Sequence, residues 1–124
     1  MTGSKIGNVL YPVGNINDAL TFYTQGLDLT VKFTDGERYA ALDGGGVTLA
    51  LAGPEEDLTD GVAAASFKVA DIDAAIERVT ALGARLVRGP ESGPHEVRAV
   101  LRDPAGNLFI LYAKGDSRGA IPIR

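Results

Sequence analysis

The chain has no cysteine and no tryptophan, one methionine, and one histidine, His95. Without cysteine there are no disulfides, thiol nucleophiles, zinc-thiolate sites or iron–sulfur clusters. A single histidine excludes a transition-metal site built from two or three imidazoles of one chain. Any Ser-His-Asp chemistry would rest on His95 alone. Long hydrophobic runs are missing too, and nothing approaches the roughly 18 consecutive apolar residues of a membrane helix. The opening MTGSKIGNVL carries one Lys and no long apolar run, so it does not read as a secretory signal. Basic residues are in deficit: 12 Lys and Arg stand against 16 Asp and Glu, a net charge of −4. No basic stripe is present, so nucleic acid is not an expected partner. These absences point to a cytoplasmic protein that engages neither membrane nor nucleic acid.

What is present is ordinary for a globular protein: 45% hydrophobic and 23% charged residues in a length that fits one domain. Ile6–Val13 reads as a strand. Asn15 is a good helix N-cap, with Asp18 near the helix start. Ala19, Leu20, Phe22, Tyr23 and Leu27 form a stripe at helical spacing, with Phe22 and Tyr23 expected in the core and Gly26 as the stop. Thr30–Thr34 and Glu37–Leu42 read as strands around Asp35-Gly36, a two-residue hairpin signal. Gly44–Gly46 turns the chain into a strand over Val47–Ala52. It is a turn and not a phosphate loop, since no helix start follows it.

Residues 53–61 (GPEEDLTDG) read as a polar linker, with Glu55-Glu56-Asp57 solvated. The pattern then recurs. Ala63–Val69 is a strand, and Asp71 caps a helix whose apolar face is Ile72, Ala75, Ile76, Val79 and Leu82. Gly83 stops it. Arg85–Arg88 is a short strand, Gly89–Pro94 a loop, Val97–Arg102 a strand, Asp103–Asn107 a turn, and Leu108–Ala113 the last strand. The caps Asn15 and Asp71 are 56 residues apart and the stops Gly26 and Gly83 are 57 apart. The expectation is an α+β domain over residues 1–113, made of tandem βαβββ units at 5–52 and 62–113, with a C-terminal tail at 114–124.

Three segments carry a resemblance: Val13 to Tyr23 (VGNINDALTFY), Phe67 to Ala75 (FKVADIDAA) and Arg102 to Phe109 (RDPAGNLF). In this order and spacing the chain resembles the vicinal oxygen chelate superfamily over residues 5–113. That group includes glyoxalase I, extradiol dioxygenases, methylmalonyl-CoA epimerase, and fosfomycin and bleomycin resistance proteins. The resemblance implies that each unit curls its strands into a half-barrel with helices on the convex side. It also implies a ligand on the concave side and a homodimer whose site forms from both chains.

The resemblance further assigns metal-ligand positions. The first-strand His falls at Asn8, the fourth-strand Glu or Gln at Thr48 or Ala50, the fifth-strand His at Ala64, and the final-strand Glu at Ile110. Asn8 offers only an amide oxygen, and Ala64 and Ile110 offer no donor. The expectation is therefore a site without metal or other cofactor.

Strand alternation describes what the cleft holds instead. Val47, Leu49 and Leu51 suit a helix-packed face, leaving Thr48, Ala50 and Ala52 to the other. Phe67 and Val69 do the same, leaving Ala64, Ser66 and Lys68. Small side chains with sparse polar anchors suit a small-molecule site; they equally suit close packing of two half-barrels. Tyr39 and Tyr112, and with the same ambiguity Tyr11 and Phe33, read as ring-stacking residues or as rim residues. His95 beside Glu96 reads as a general base or a solvated loop residue. Arg98 reads as an anchor for an anionic group, Lys68 likewise, and Arg102 as a brace for the Asp103 turn.

The leading expectation is a small-molecule-binding protein of bleomycin-resistance type that sequesters a hydrophobic or aromatic ligand in a dimeric cleft. Its candidate ligand-binding residues are Asn8, Tyr39, Thr48, Ala50, Ala64, Ser66, Lys68, His95, Arg98, Ile110 and Tyr112. The alternative is a lyase, isomerase or oxygenase of glyoxalase or dioxygenase type, with His95 the candidate catalytic residue.

Overall fold

A computed structural model describes residues 3–93 and 95–115. Strands β1 (Lys5–Pro12), β2 (Thr30–Asp35), β3 (Tyr39–Asp43) and β4 (Thr48–Ala52) accompany helix α1 (Ile16–Thr21). Strands β5 (Ala64–Lys68), β6 (Arg85–Ser92), β7 (Glu96–Arg102) and β8 (Leu108–Lys114) accompany helix α2 (Ile72–Ala81). In chain order this gives β-α-β-β-β twice, an α+β arrangement. The chain forms two compact units, residues 7–65, and residues 66–115 with 3–6. Strand order is β2-β3-β4-β1 in one and β5-β8-β7-β6 in the other. From residue 116 onward the expected tail lies outside the described residues. Among the described residues no helix is long and apolar enough to cross a membrane.

In residues 7–65, Asn15 Oδ1 accepts the Asp18 N–H at 2.8 Å and starts α1. The helix then widens into a π turn over Phe22–Gly26. The stop does not fall on Gly26. Asp28 takes the left-handed conformation at φ +61°, and Leu29 N–H returns to the Tyr23 carbonyl at 3.2 Å. The wider turn spends extra residues before the chain reverses, and Asp tolerates this region better than most side chains. Ile16 packs with Ala40, Leu42 and Leu51, flanked by Leu20, Tyr23 and Leu49. Each fully buried Ile or Leu contributes about 1.5–3 kcal/mol. Phe22 is not in this core: it is 63% exposed and meets Tyr23 edge-on at 5.0 Å. One residue along a helix is about a 100° rotation, so with Tyr23 turned to the sheet, Phe22 is turned away.

The β2–β3 hairpin also departs from expectation. Its loop has three residues, 36–38, with Asp35 opposite Tyr39 and Arg38 N–H bonded to the Asp35 carbonyl. Arg38 is held out of the strand by the following connection. Its carbonyl accepts from Gly53 N–H at 2.7 Å, and its guanidinium pairs with Glu56 and approaches Glu55 at 3.7 Å. The Glu56 partnership raises the Arg38 pKa further. Asp57 accepts N–H bonds from Thr59 and Gly61. The acidic run is thus a clasp and a turn cap, not merely a solvated loop.

In residues 66–115, Asp71 Oδ1 accepts Ala74 N–H at 3.1 Å and Gly83 ends α2 at φ +109°. Ile72, Ala75, Ile76 and Val79 pack on Val97, Leu101 and Leu111. Leu82, expected on that face, is 80% exposed because it is the C-cap, where the backbone has already left helical geometry. Strand β6 runs to Ser92 through the expected loop at 89–94. Its register with β7 shifts between Leu86 and Arg88 and again between Arg88 and Glu91. Gly89, at φ +88°, makes this passage possible, since a Cβ there would sit 2.7 Å from the Arg98 carbonyl.

The β7–β8 turn closes on Asp103. Its carboxylate accepts from Ala105 N–H, Asn107 N–H and Asn107 Nδ2, and these bonds, the Asn107 side chain foremost, hold its pKa below the usual value. Arg102 donates to the Gly106 carbonyl at 2.8 Å, the bracing expected of it.

Candidate functional site

Leu49 and Leu51 pack toward α1, so the even-numbered residues of β4 lie on the averted face. Residues directly opposite one another share a face, which places Asp43 with Thr48, Ala41 with Ala50, and Tyr39 with Ala52. In the parallel pair β1–β4, Val9 lies level with Leu49 and Leu10 with Ala50. One step back, Asn8 stands beside Thr48. Four expected ligand residues, Asn8, Tyr39, Thr48 and Ala50, therefore share one face of residues 7–65.

Two further residues join them, Lys32 by alternation and Phe33 through a bulge. β2 and β3 shift register between Val31, opposite Leu42, and Phe33, opposite Ala41. Lys32 is the extra residue. Strict alternation would send Phe33 toward α1; the bulge turns it to the averted face, where its ring stacks on Tyr39 at 5.8 Å and 30°. Lys32 Nζ reaches across β3 and donates to Thr48 Oγ1 at 2.9 Å. Sequence reasoning missed Lys32, because alternation gives the face of a side chain but not its reach across a neighbouring strand to Thr48.

Ala41, Ala50 and Ala52 are buried and form a floor without bulk, while Phe33 is 54% exposed. Asn8 Oδ1 is buried and has no hydrogen-bond partner among the described residues. Such an unsatisfied acceptor costs about 1–3 kcal/mol.

In residues 66–115 the face averted from α2 carries Arg98 and Val100 of β7 opposite Tyr112 and Ile110 of β8. Arg98 also faces Glu91 of β6. Its guanidinium lies against Gly93, where a Cβ would stand 3.0–3.2 Å from Nη2, Cζ and Nε. Ser66 is buried in β5 and Lys68 is exposed at its end; Ala64 is buried at its start. His95 is exposed just before β7, and only its carbonyl is engaged, by Gly115 N–H at 3.2 Å. Its imidazole has no orienting partner among the described residues.

At the positions the resemblance assigns to metal ligands the structure holds an amide oxygen at Asn8, a hydroxyl at Thr48, and alkyl groups at Ala50, Ala64 and Ile110. One amide and one hydroxyl do not make a donor set for a divalent ion. Among the described residues no group of three or more His, Cys, Asp or Glu comes together to hold one. The residues at these positions do not fit a metal.

A β-α-β-β-β run occurring twice, with helix-packed cores and averted faces that gather polar and aromatic side chains, defines a class of α+β protein. The chain belongs to the Glyoxalase/Bleomycin resistance protein/Dioxygenase superfamily, whose family model matches residues 5–111. An uncharacterized protein of Mycolicibacterium smegmatis is 38% identical over 113 residues, 91% of this chain and 97% of that one. Among solved structures, a hypothetical protein from Bacillus halodurans C-125 is similar with a TM-score of 0.74 at 20% identity, covering 91% of this chain and 96% of that one. A Streptomyces coelicolor methylmalonyl-CoA epimerase in complex with 2-nitronate-propionyl-CoA has a TM-score of 0.68 at 22% identity, covering 89% and 96%. At these identities the two structures share the fold.

Proposed function

We propose that the chain is a metal-free small-molecule-binding protein that sequesters a hydrophobic or aromatic ligand, acting in the cytoplasm as a homodimer. One observation carries this reading: on the averted face of residues 7–65, a stacked Phe33–Tyr39 pair borders an alanine floor near the buried, unsatisfied Asn8 Oδ1. An apolar surface with few placed polar atoms is the usual chemistry of a small-molecule site. A ligand donor would recover the cost of leaving Asn8 Oδ1 unpaired. Arg98 and Tyr112 supply a second polar and aromatic pair on residues 66–115.

The test is native mass spectrometry of protein purified without chelators or added metal. A dimer at the apo mass or carrying an organic adduct supports the reading. One divalent metal bound per chain overturns it in favour of the superfamily's metal-dependent enzymes. An enzyme using His95 as base would instead show turnover that survives EDTA and disappears in His95→Ala.

A further inference from the structure

The chain contains three Asp-Gly pairs, Asp35-Gly36, Asp43-Gly44 and Asp60-Gly61. In such a pair the glycine nitrogen can attack the aspartate Cγ, because no Cβ hinders the approach. The N–Cγ bond forms, and the carboxyl's hydroxyl leaves with the amide hydrogen as water. The succinimide so formed takes water back at either carbonyl. Opening at Cγ restores aspartate. Opening at the backbone carbonyl leaves isoaspartate, in which the chain runs through Cβ and Cγ and the α-carboxylate is free. The attack needs a glycine N–H that is not held and an aspartate side chain that can turn onto it.

Two of the pairs are locked. Gly44 N–H donates to the Val47 carbonyl at 2.7 Å, and Asp43 Oδ1 accepts from Gly45 N–H at 2.9 Å. Gly61 N–H donates to Asp57 Oδ2 at 2.8 Å, a bond strengthened by the carboxylate charge. Asp35 and Gly36 are different: both are exposed, at the tip of the β2–β3 hairpin. Among the described residues the Gly36 N–H has no acceptor, and the Asp35 carboxylate makes no hydrogen bond or ion pair. A Cβ built on Gly36 would meet nothing within 4 Å, so no neighbour opposes the rotation. The turn closes through Arg38 N–H on the Asp35 carbonyl at 3.0 Å, a bond that involves neither reacting atom.

We propose that Asp35-Gly36 is a covalent modification site, at which the folded protein forms isoaspartate in preference to its other two Asp-Gly pairs. The lengthened backbone falls where Asp35 stands opposite Tyr39, in the hairpin that stacks Phe33 on Tyr39.

The test incubates the protein at neutral pH, folded and in guanidinium, until the guanidinium sample has converted measurably, and then maps it by mass spectrometry. Trypsin releases Phe33–Arg38 with one pair and Tyr39–Lys68 with the other two, which a protease cutting after Glu55 and Glu56 separates. Isoaspartate keeps the mass of aspartate but elutes apart, and electron-transfer fragmentation assigns it. In the folded protein it should accumulate at Asp35 about tenfold faster than at Asp43 or Asp60, roughly the rate that one hydrogen bond is worth. In guanidinium the three pairs should convert at similar rates. Asp35→Glu should abolish the product in Phe33–Arg38, since glutamate must close a larger ring. Asp35→Asn should hasten it, since ammonia then leaves in place of water. Equal conversion of the three pairs in the folded protein, or faster conversion at Asp43 or Asp60, overturns the proposal. So does a folded protein unconverted at Asp35 while the guanidinium sample converts.

Discussion

Residues 7–65 and 66–115 are built to one plan on the side that meets a helix and to two plans on the other. On the helix side, Asn15 and Asp71 cap their helices in the same way, and Ile16 and Ile72 enter cores of Leu and Ala side chains. On the averted side, one unit shows alanines, a stacked aromatic pair and Lys32 on Thr48, while the other shows Arg98 opposite Tyr112 and Val100 opposite Ile110. Packing a helix on strands constrains size and shape closely. The averted face is free of that demand and can carry different chemistry in each unit.

The largest test of the shared plan is core truncation. Leu51→Ala and Leu101→Ala remove fully buried side chains and should each cost about 2–5 kcal/mol in urea unfolding. A loss below about 1 kcal/mol at either site would break the equivalence of the two cores. The edge strands test the divergence. Gly89→Ala in β6 forces a Cβ onto the Arg98 carbonyl at an unfavourable φ and should cost about 1–3 kcal/mol. Lys32→Ala, at the irregularity of β2, should leave stability nearly unchanged, because Lys32 is exposed and serves the averted face.

The two caps sharpen the comparison next. Asn15→Ala and Asp71→Ala should each cost about 1 kcal/mol in the same measurement.

The turns differ in their response to pH. Asp103 titrates below its ordinary value of 3.8 because Asn107 and neighbouring N–H groups bond its ionised form. The stability it adds is fully present above that ordinary value and is lost as pH falls through the lowered one. The melting-temperature advantage of wild type over Asp103→Asn should therefore be flat from neutral pH down to the ordinary value and shrink below it. An advantage constant down to pH 2 would refute the assignment. The smallest effect belongs to Arg38→Gln. It removes a pairing between a half-exposed guanidinium and the mostly buried Glu56 carboxylate, and high salt should shrink the difference in melting temperature.

Much of this architecture is legible in the residues. Asn15, Asp71 and Gly83 mark helix ends because capping is local chemistry, satisfied within four residues. The Asp103–Asn107 turn is readable for the same reason. The face assignments of β4 and β5 follow from alternation alone. Errors gathered where distant groups set local geometry. The hairpin at 36–38 is shaped by Glu56 and Gly53, and β6 persists beyond Gly89 because β7 offers it a partner. Leu82 and Phe22 fit the helical stripes in spacing, yet Leu82 falls at a cap and Phe22 is turned away beside the inward-facing Tyr23, so both are exposed.

By itself, then, the sequence determined the superfamily's repeated element order, the helix starts, the helix-facing cores, the lack of thiolate donors and the limit to one imidazole, since each depends on residue type or short-range spacing. Tertiary structure alone decided that Lys32 meets Thr48, that Phe33 turns to stack on Tyr39, and that Asn8 Oδ1 is buried without a partner. Each of these depends on a bulge or a register between strands distant in the chain, and neither is encoded in the residues that meet.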